Sequence, residues 1–446
     1  MCERNSRRFK KFLILYNTMA SLKKLKKILE QEGLMDKSPD FESRYTVAVR
    51  NKRVRKLLEI ETPEITDLTD ILEIENNGRL YAVRMDLNKG VDNHKKPVVA
   101  GLILRGVLKG KIPRDGIDTL IDGGNFNSAK AVRYYAEKLG MKGMYVMSRL
   151  FPQYITDMLE SENFHVIRAP KKYDNARERE FYEHLFELMK SKKFRRNKFC
   201  LWHARDSGKA MYPFGIETAE QLEEVPDYVI SCIGAGSTLE GLQIAIQNYF
   251  KEAKPSIIIG EHELSPLFAK VLPSQPSSSS LPSVRADVDP DFYASVEGLP
   301  HIAIGPHYDE INPLLSKDSI AKIDQVIQYS DHDWMAMQKY LQQEGISIGN
   351  TSAANLNVAA NLANEGNNVL TVIFEPFREF YKKRHVSQPI KLRRFEKVAA
   401  VAAALILSAA GTYLLSNPPA SDDTFFIGEH YSKETIEASK KFFGFK

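Results

Sequence analysis

The run Tyr228-Val-Ile-Ser-Cys-Ile233, followed at once by Gly234-Ala-Gly-Ser-Thr-Leu-Glu-Gly241, constrains this chain more than any other feature. An apolar strand that ends in a glycine-rich turn and reopens as a helix is the repeating unit of open, mostly parallel sheets. Small residues let the backbone wrap closely around a ligand, and the N–H groups at the helix start form an anion site. Ser237 and Thr238 add hydroxyl donors, so phosphate is the expected guest. The loop is not a Walker A motif, because no Gly-Lys-Ser/Thr follows. It is close to a dinucleotide fingerprint, but Leu239 stands at the third glycine position. Glu261, at the end of the next strand, imitates the ribose-binding acid of that class. A glycine turn with no ligand is also common, so the loop alone leaves all three readings open.

The same alternation extends along the chain. Ile117–Ile121 reads as a buried strand, and Ala129, Val132, Ala136 and Leu139 mark one face of the helix after it, with Gly140 placed to end it. Met144–Met147, Ser256–Ile259 and Val369–Phe374 read as further strands. The expected fold class is therefore α/β: open, twisted, mostly parallel sheets with flanking helices.

Two further turns carry chemistry. Asp122-Gly-Gly-Asn-Phe-Asn-Ser-Ala129 joins a strand to a helix and offers backbone and amide donors that suit a carboxylate. A tight turn with an Asn or Ser cap explains it equally well. Asn93-His-Lys-Lys-Pro97 precedes the apolar run Val98–Leu104. A lysine beside an apolar element is desolvated and so made nucleophilic at neutral pH, although an exposed lysine pair is the usual meaning of such a string.

The bulk properties exclude several classes. The 446 residues suffice for two cores, and a net charge of +5 is too mild to imply nucleic-acid binding. The three cysteines, Cys2, Cys200 and Cys232, have no CxxC spacing and build neither a disulfide framework nor a zinc cage. They fit a reducing compartment, the cytoplasm. The apolar run Phe12–Tyr16 is too short for a secretory signal. Residues 1–44 read as a basic extension whose Leu22, Leu25, Ile28 and Leu29 recur at helical spacing, as in a helix docked on its own domain or on a partner. Pro273–Ser283 has the composition of a flexible surface insertion. The uncharged stretch 398–415, behind Lys391, Arg393, Arg394 and Lys397, is at the lower limit for a membrane helix and fits a buried helix equally well. As a membrane tether it would hold the catalytic part in the cytoplasm. Asp331-His332-Asp333 reads as a solvated helix start, so no metal is expected, and the basic run Arg50, Lys52, Arg53, Arg55 and Lys56 reads as a solvated face.

The three turns stand in the order of the pyridoxal-phosphate (PLP) β-family, the fold-type II enzymes, and the chain resembles cysteine synthase and the cystathionine β-synthase catalytic core from about Glu61 to Tyr381. Thr62-Pro63 looks like the family's Thr-Pro-Leu start, and Arg79–Asn88 like the strand leading to its lysine. Gly123–Asn127 resembles its Ser-Gly-Asn-Thr-Gly loop, and Gly234–Thr238 its Gly-Thr-Gly-Gly-Thr loop. Tyr212–Glu217, Pro300–Pro306 and Gly345–Ser352 resemble three further segments. The resemblance implies a cofactor cleft between two domains, a large one from 45–84 and 204–390 and a smaller mobile one from 85–203. The tail, 391–446, lies outside both. It implies PLP held by Lys95, Asn125, Gly234, Ala235, Gly236, Ser237 and Thr238, with Phe377 near the pyridine nitrogen. Gly123, Gly124, Phe126 and Asn127 would hold the substrate carboxylate. A homodimer and a small amino-acid substrate are implied, with β-replacement or β-elimination through a Lys95 imine and an aminoacrylate.

The departures fall where substrate is recognised. Lys96-Pro97 replaces the usual Asp-Arg, which makes Lys96 a second candidate for the imine lysine. Gly123 and Phe126 stand where Ser and Thr are usual, and Asn127 replaces a glycine. Phe377 cannot hydrogen-bond a pyridine nitrogen, whereas Glu375, two residues earlier, can. The alternatives are a degenerate scaffold that kept the fold and a dinucleotide-binding enzyme using the 234–241 loop.

Overall fold

Asn368-Val-Leu-Thr-Val-Ile373 has almost no polar face to show to water, and five of its six residues are buried. Such a run belongs inside a parallel sheet covered on both sides. The computed structural model places it at the middle of one. The structure describes residues 21–36, 40–113, 116–149, 151, 153–170, 179–276, 311–312 and 315–378. All of these lie in the first of two compact units, Met1–His385. The possible membrane stretch 398–415 and Pro300–Pro306 lie outside the described residues, and no described helix is long and apolar enough to cross a membrane.

In the first part of the chain a helix runs through 21–31 (α1), followed by α2 (Phe41–Arg50), α3 (Lys52–Leu58), β1 (Ile65–Asp67), β2 (Arg79–Arg84) and α4 (Lys95–Leu108). Next come β3 (Thr119–Gly123), α5 (Phe126–Leu139), β4 (Lys142–Met147), α6 (Gln153–Leu159), β5 (Phe164–Arg168), α7 (Arg179–Lys190), α8 (Lys192–Arg195) and β6 (Lys198–Cys200). The chain continues with α9 (His203–Ala219), β7 (Tyr228–Cys232), a π turn (Leu239–Gln243), α10 (Ile244–Tyr249), β8 (Ser256–His262) and β9 (Ser274–Pro276). The described part closes with α11 (Lys317–Ile320), β10 (Gln325–Tyr329), α12 (Asp331–Gln343), α13 (Asn350–Asn364) and β11 (Asn368–Ile373).

The strands form two sheets. The larger has the order β1-β2-β11-β7-β8-β10-β9 and the smaller β5-β4-β3-β6. Among the described strands only β1 runs antiparallel, against β2. The ladder between β11 and β7 is short, pairing Val369 with Tyr228 and Leu370 with Val229. Beyond it, Asn355 of α13 bridges the two strands: its Oδ1 accepts from the Cys232 N–H at 2.7 Å and its Nδ2 donates to the Val372 carbonyl at 3.0 Å. This side chain satisfies backbone groups that would otherwise be buried without partners.

Local chemistry explains the other elements. Asn125 caps α5 by accepting from the Ser128 N–H, and Gly140 ends it at φ 59°. Ala129, Val132, Ala136 and Leu139 are buried as their spacing indicates. Every residue of α4 is buried, as befits a helix that is apolar on nearly all sides. Leu22, Leu25, Ile28 and Leu29 of α1 pack into the main core.

Three expectations change. Ser274–Pro276 of the supposed flexible insertion is an edge strand paired with β10, where Pro276 is tolerated because an edge strand needs hydrogen bonds on one side only. The first strand runs over Thr119–Gly123 instead of Ile117–Ile121. Arg55 is not part of a solvated face: its guanidinium pairs at 2.5 Å with Glu217, and both side chains are largely covered.

Candidate active site

The glycine loop leaves β7 at Cys232 and turns into the helix at Ser237. Gly236 has φ +92°, and a Cβ there would lie 2.4 Å from Leu315 Cδ2. Only glycine makes this turn without displacing its neighbour. The first N–H groups of a helix have no partner inside it, so the turn presents donors to the space in front. Ser237 and Thr238, both buried, add hydroxyls there.

Lys95 faces the loop from the start of α4. Its backbone N–H donates to Asn93 Oδ1 at 2.8 Å, and its Nζ donates to Ser237 Oγ at 3.2 Å. The residue is only 4% exposed. Lys96 points elsewhere: its Nζ pairs with Glu61 Oε2 at 2.9 Å and lies over the Tyr134 ring. A single residue step thus separates a lysine directed at the glycine loop from one neutralised by a carboxylate.

The third wall is the loop after β3. Gly124 has φ +149°, and a Cβ on it would meet His203 Cε1 and Tyr145 Oη, each at 2.8 Å. The Gly124 N–H donates to the Val146 carbonyl at 3.0 Å. These elements enclose a narrow slot of about 620 Å³ between atom surfaces, mouth included, of which about 50 Å³ admits the centre of a water molecule.

Of the residues singled out in the sequence, Lys95, Gly124, Asn125, Asn127, Gly234, Ala235, Ser237 and Thr238 line this slot. Gly123 and Gly236 supply the backbone of the same loops but are not among the lining residues. Phe126 and Phe377 are not brought there. They line a second depression with Lys130, Arg133 and Arg378. Phe126 is the first residue of α5, and Phe377 lies beyond Glu375, which itself reaches the slot.

Sequence reasoning overlooked Phe181, Tyr182, His203, Cys232, Thr351 and Phe374 as wall residues. The signal for several of them was available. Ligands in open α/β sheets bind beyond the carboxyl ends of strands. His203 follows β6, Cys232 ends β7, and Phe374 and Glu375 follow β11.

Burial governs the electrostatics. It holds His94 well below the usual imidazole value, with Lys95 and His203 adding to the effect. The His94 ring packs 4.7 Å from that of Phe374. Burial pushes the Cys232 thiol up to about 12, so it does not act as a thiolate nucleophile at neutral pH. Burial also raises the Glu375 carboxyl, against the opposing pull of Arg378 and Asn127. Glu261 is committed elsewhere, because its two oxygens accept from the N–H groups of Leu267, Phe268 and Ala269. The dinucleotide alternative thereby loses its ribose-binding acid.

Two parallel sheets, a glycine loop that opens a helix and a buried lysine aimed at that loop define the architecture of fold-type II PLP enzymes. The chain belongs to the family of pyridoxal-phosphate dependent enzymes, whose model matches residues 62–375. Among solved structures it is similar to the O-acetylserine dependent cystathionine β-synthase of Helicobacter pylori, with 20% identity, 75% of this chain and 97% of that one covered, and a TM-score of 0.55. A hydrogen sulfide-producing enzyme of Fusobacterium nucleatum is 17% identical, with 72% and 96% covered and a TM-score of 0.55. The O-acetylserine sulfhydrylase isoform 3 of Entamoeba histolytica is 15% identical, with 75% and 92% covered and a TM-score of 0.55. At these identities the likeness shows the fold. No curated protein matches the chain.

The cofactor of the family is PLP, and the donor set suits it: hydroxyl and helix-start donors for a phosphate, a buried amine for a carbonyl carbon, and amides at Asn125 and Asn127. Among the described residues no group of three or more His, Cys, Asp or Glu is placed to hold a metal ion.

Proposed function

We propose that this chain catalyses PLP-dependent β-replacement or β-elimination on a small, serine- or cysteine-like amino acid, with cysteine synthase-like chemistry. The observation that carries the reading is the direction of Lys95, whose buried Nζ lies 3.2 Å from Ser237 Oγ on the glycine loop. An amine there would hold the cofactor's carbonyl carbon, and the same amine when free would be placed to take the substrate's α-proton. PLP when bound supplies an electron sink for the charge left at the α-carbon. Backbone donors of residues 234–238, with the Ser237 and Thr238 hydroxyls, hold the phosphate. The Gly123–Asn127 loop receives the substrate carboxylate through backbone and amide donors.

Glu375 takes the place on the wall that Phe377 was expected to hold. A buried carboxylate on that wall would, if it faces the pyridine nitrogen of bound PLP, favour the protonated ring and deepen the sink. If Glu375→Gln leaves both the cofactor absorbance and the rate unchanged, Glu375 has no such part.

The test of the whole reading is the visible spectrum of the purified protein with PLP added. An imine band in the wild type, lost in Lys95→Ala, is expected. No band in either protein overturns the reading in favour of a scaffold, and a band kept by Lys95→Ala moves the role to Lys96. We also propose a homodimer, to be checked by sedimentation velocity.

A further inference from the structure

Three side chains from separate elements meet on one wall of the slot. Asp122, at the end of β3, is fully buried. Its Oδ1 accepts from the Gly123 N–H at 3.0 Å, and its Oδ2 lies 3.1 Å from Nδ1 of His203 and 3.3 Å from the His203 backbone N–H. His203 is 3% exposed, and its Nε2 lies 3.2 Å from the Tyr182 hydroxyl. Both His203 and Tyr182 line the slot. Gly124, in the loop that receives the substrate carboxylate, abuts the imidazole so closely that no Cβ fits between them.

A carboxylate removed from water is costly unless a partner balances it. Here it lies beside one ring nitrogen of a histidine, close enough to balance a charge on the ring though not hydrogen-bonded to it, and the other ring nitrogen contacts a phenol on the slot wall. Imidazole and hydroxyl in series form a path along which a proton moves, and the carboxylate balances the charge on the imidazole. Lys95 is assigned to the α-carbon, and the slot wall offers a second proton source for a leaving group on the β-carbon. A thiol raised as far as Cys232 is poorly suited to that task.

We infer that Asp122, His203 and Tyr182 form a proton relay for the β-substituent, and that the substrate is accordingly a β-hydroxy amino acid of the serine type. This rests on the proposed β-elimination or β-replacement. Tyr182 is the catalytic residue, and His203 and Asp122 position and recharge it. In the step, the Cβ–O bond breaks and its electron pair stays on oxygen. That oxygen takes the proton of Tyr182 Oη, which recovers one from Nε2 of a protonated His203, whose positive charge Asp122 balances before the transfer and which is left as neutral imidazole. The hydroxyl departs as water, and the proton left on Lys95 balances the α-carbon. A halide or ester leaving group departs as a stable anion and does not need that proton, so the relay distinguishes unactivated from activated substrates.

The experiment compares serine with β-chloroalanine in the PLP-loaded wild type and in Tyr182→Phe, beside ring-nitrogen NMR of His203 in the same two proteins without substrate. The phenylalanine variant is expected to lower the serine-to-chloroalanine ratio of kcat by about 10²-fold, the lower end for general acid catalysis. His203 Nε2 is expected to shift on losing its phenol partner. An equal loss on both substrates overturns the relay, as does an unmoved His203 resonance. A wild type active on chloroalanine but not serine also overturns it. A wild type inactive on both, despite a Lys95 imine, instead overturns the proposed reaction.

Discussion

Gly241→Ala tests how the phosphate loop is held. In most helices this change stabilises, because alanine surpasses glycine in helix propensity by about 1 kcal/mol. Here a Cβ on Gly241 would lie 2.2 Å from Met211 Cβ and 2.8 Å from the Gly208 carbonyl oxygen, where ordinary contact begins near 3.4 Å. Met211 Cβ and a backbone oxygen cannot swing aside by rotating a side chain, so α9 and the π turn must separate by about 1 Å. From the partner side, a Cβ on Gly215 would meet the Gly241 carbonyl oxygen at 2.5 Å. Forced overpacking costs about 1–3 kcal/mol, and with two rigid neighbours the upper part of that range applies. After the propensity gain the variant should be destabilised by about 1–2 kcal/mol, read as a lower urea midpoint at unchanged slope. The loop 234–238 rides on the displaced helix, so PLP affinity should fall about tenfold, the equivalent of 1.4 kcal/mol. A variant more stable than wild type, with PLP affinity intact, would refute the glycine-to-backbone packing.

Four further outcomes follow from the same contacts. Lys96→Met should keep the imine band, because Lys96 serves Glu61; loss of the band in Lys96→Met but not Lys95→Ala would reverse the assignment. His94 stays neutral in the folded chain far below the pH at which it protonates when unfolded, so folding stability is full above about 6.5 and declines on acidification by up to about 1.4 kcal/mol per pH unit. Urea midpoints between pH 7.5 and 5.5 should show that slope, and His94→Leu should flatten it. Arg55→Ala strands the buried Glu217 carboxylate and should cost about 3 kcal/mol; a thermal midpoint within a degree of wild type would reduce the pair to surface decoration. Asn355→Asp turns a donor into an acceptor facing the Val372 carbonyl and should cost about 2 kcal/mol, checked by chemical denaturation.

Much of this is legible in the amino-acid sequence, for definite reasons. A strand buried on both faces leaves a continuous apolar run, so Tyr228–Cys232 and Asn368–Ile373 declared themselves. Asn125 and Gly140 bracket α5 because cap chemistry is local. The His94-Lys95 resemblance favours Lys95 over Lys96, but the opposite directions of these adjacent, buried lysines are not legible, since that of Lys96 depends on Glu61, 35 residues away. Phe377 was set at the slot by counting along a motif, but the chain has already left the wall by that point and Glu375 stands there. Tyr182 and His203 escaped because their meaning lies in a contact across 21 residues with no motif spacing.

The two sheets contribute unlike things to one slot. The larger supplies the glycine loop from β7 and Glu375 beyond β11, on either side of the point where their ladder stops and Asn355 takes over its hydrogen bonds. A short ladder at this point lets two loops diverge and leaves room between them, which is why the phosphate side of the site sits there. The smaller sheet supplies Asp122 from β3 and His203 just after β6, adjacent strands whose ends lie side by side. Lys95 belongs to neither sheet: it stands at the start of α4, a helix buried along its whole length, which fixes the amine against the loop it faces. Gly124 abuts the imidazole too closely for any side chain between them, and beyond that imidazole a phenol faces the slot. The loop Gly123–Asn127 itself carries no hydroxyl, and the one beside it on the slot wall comes from α7.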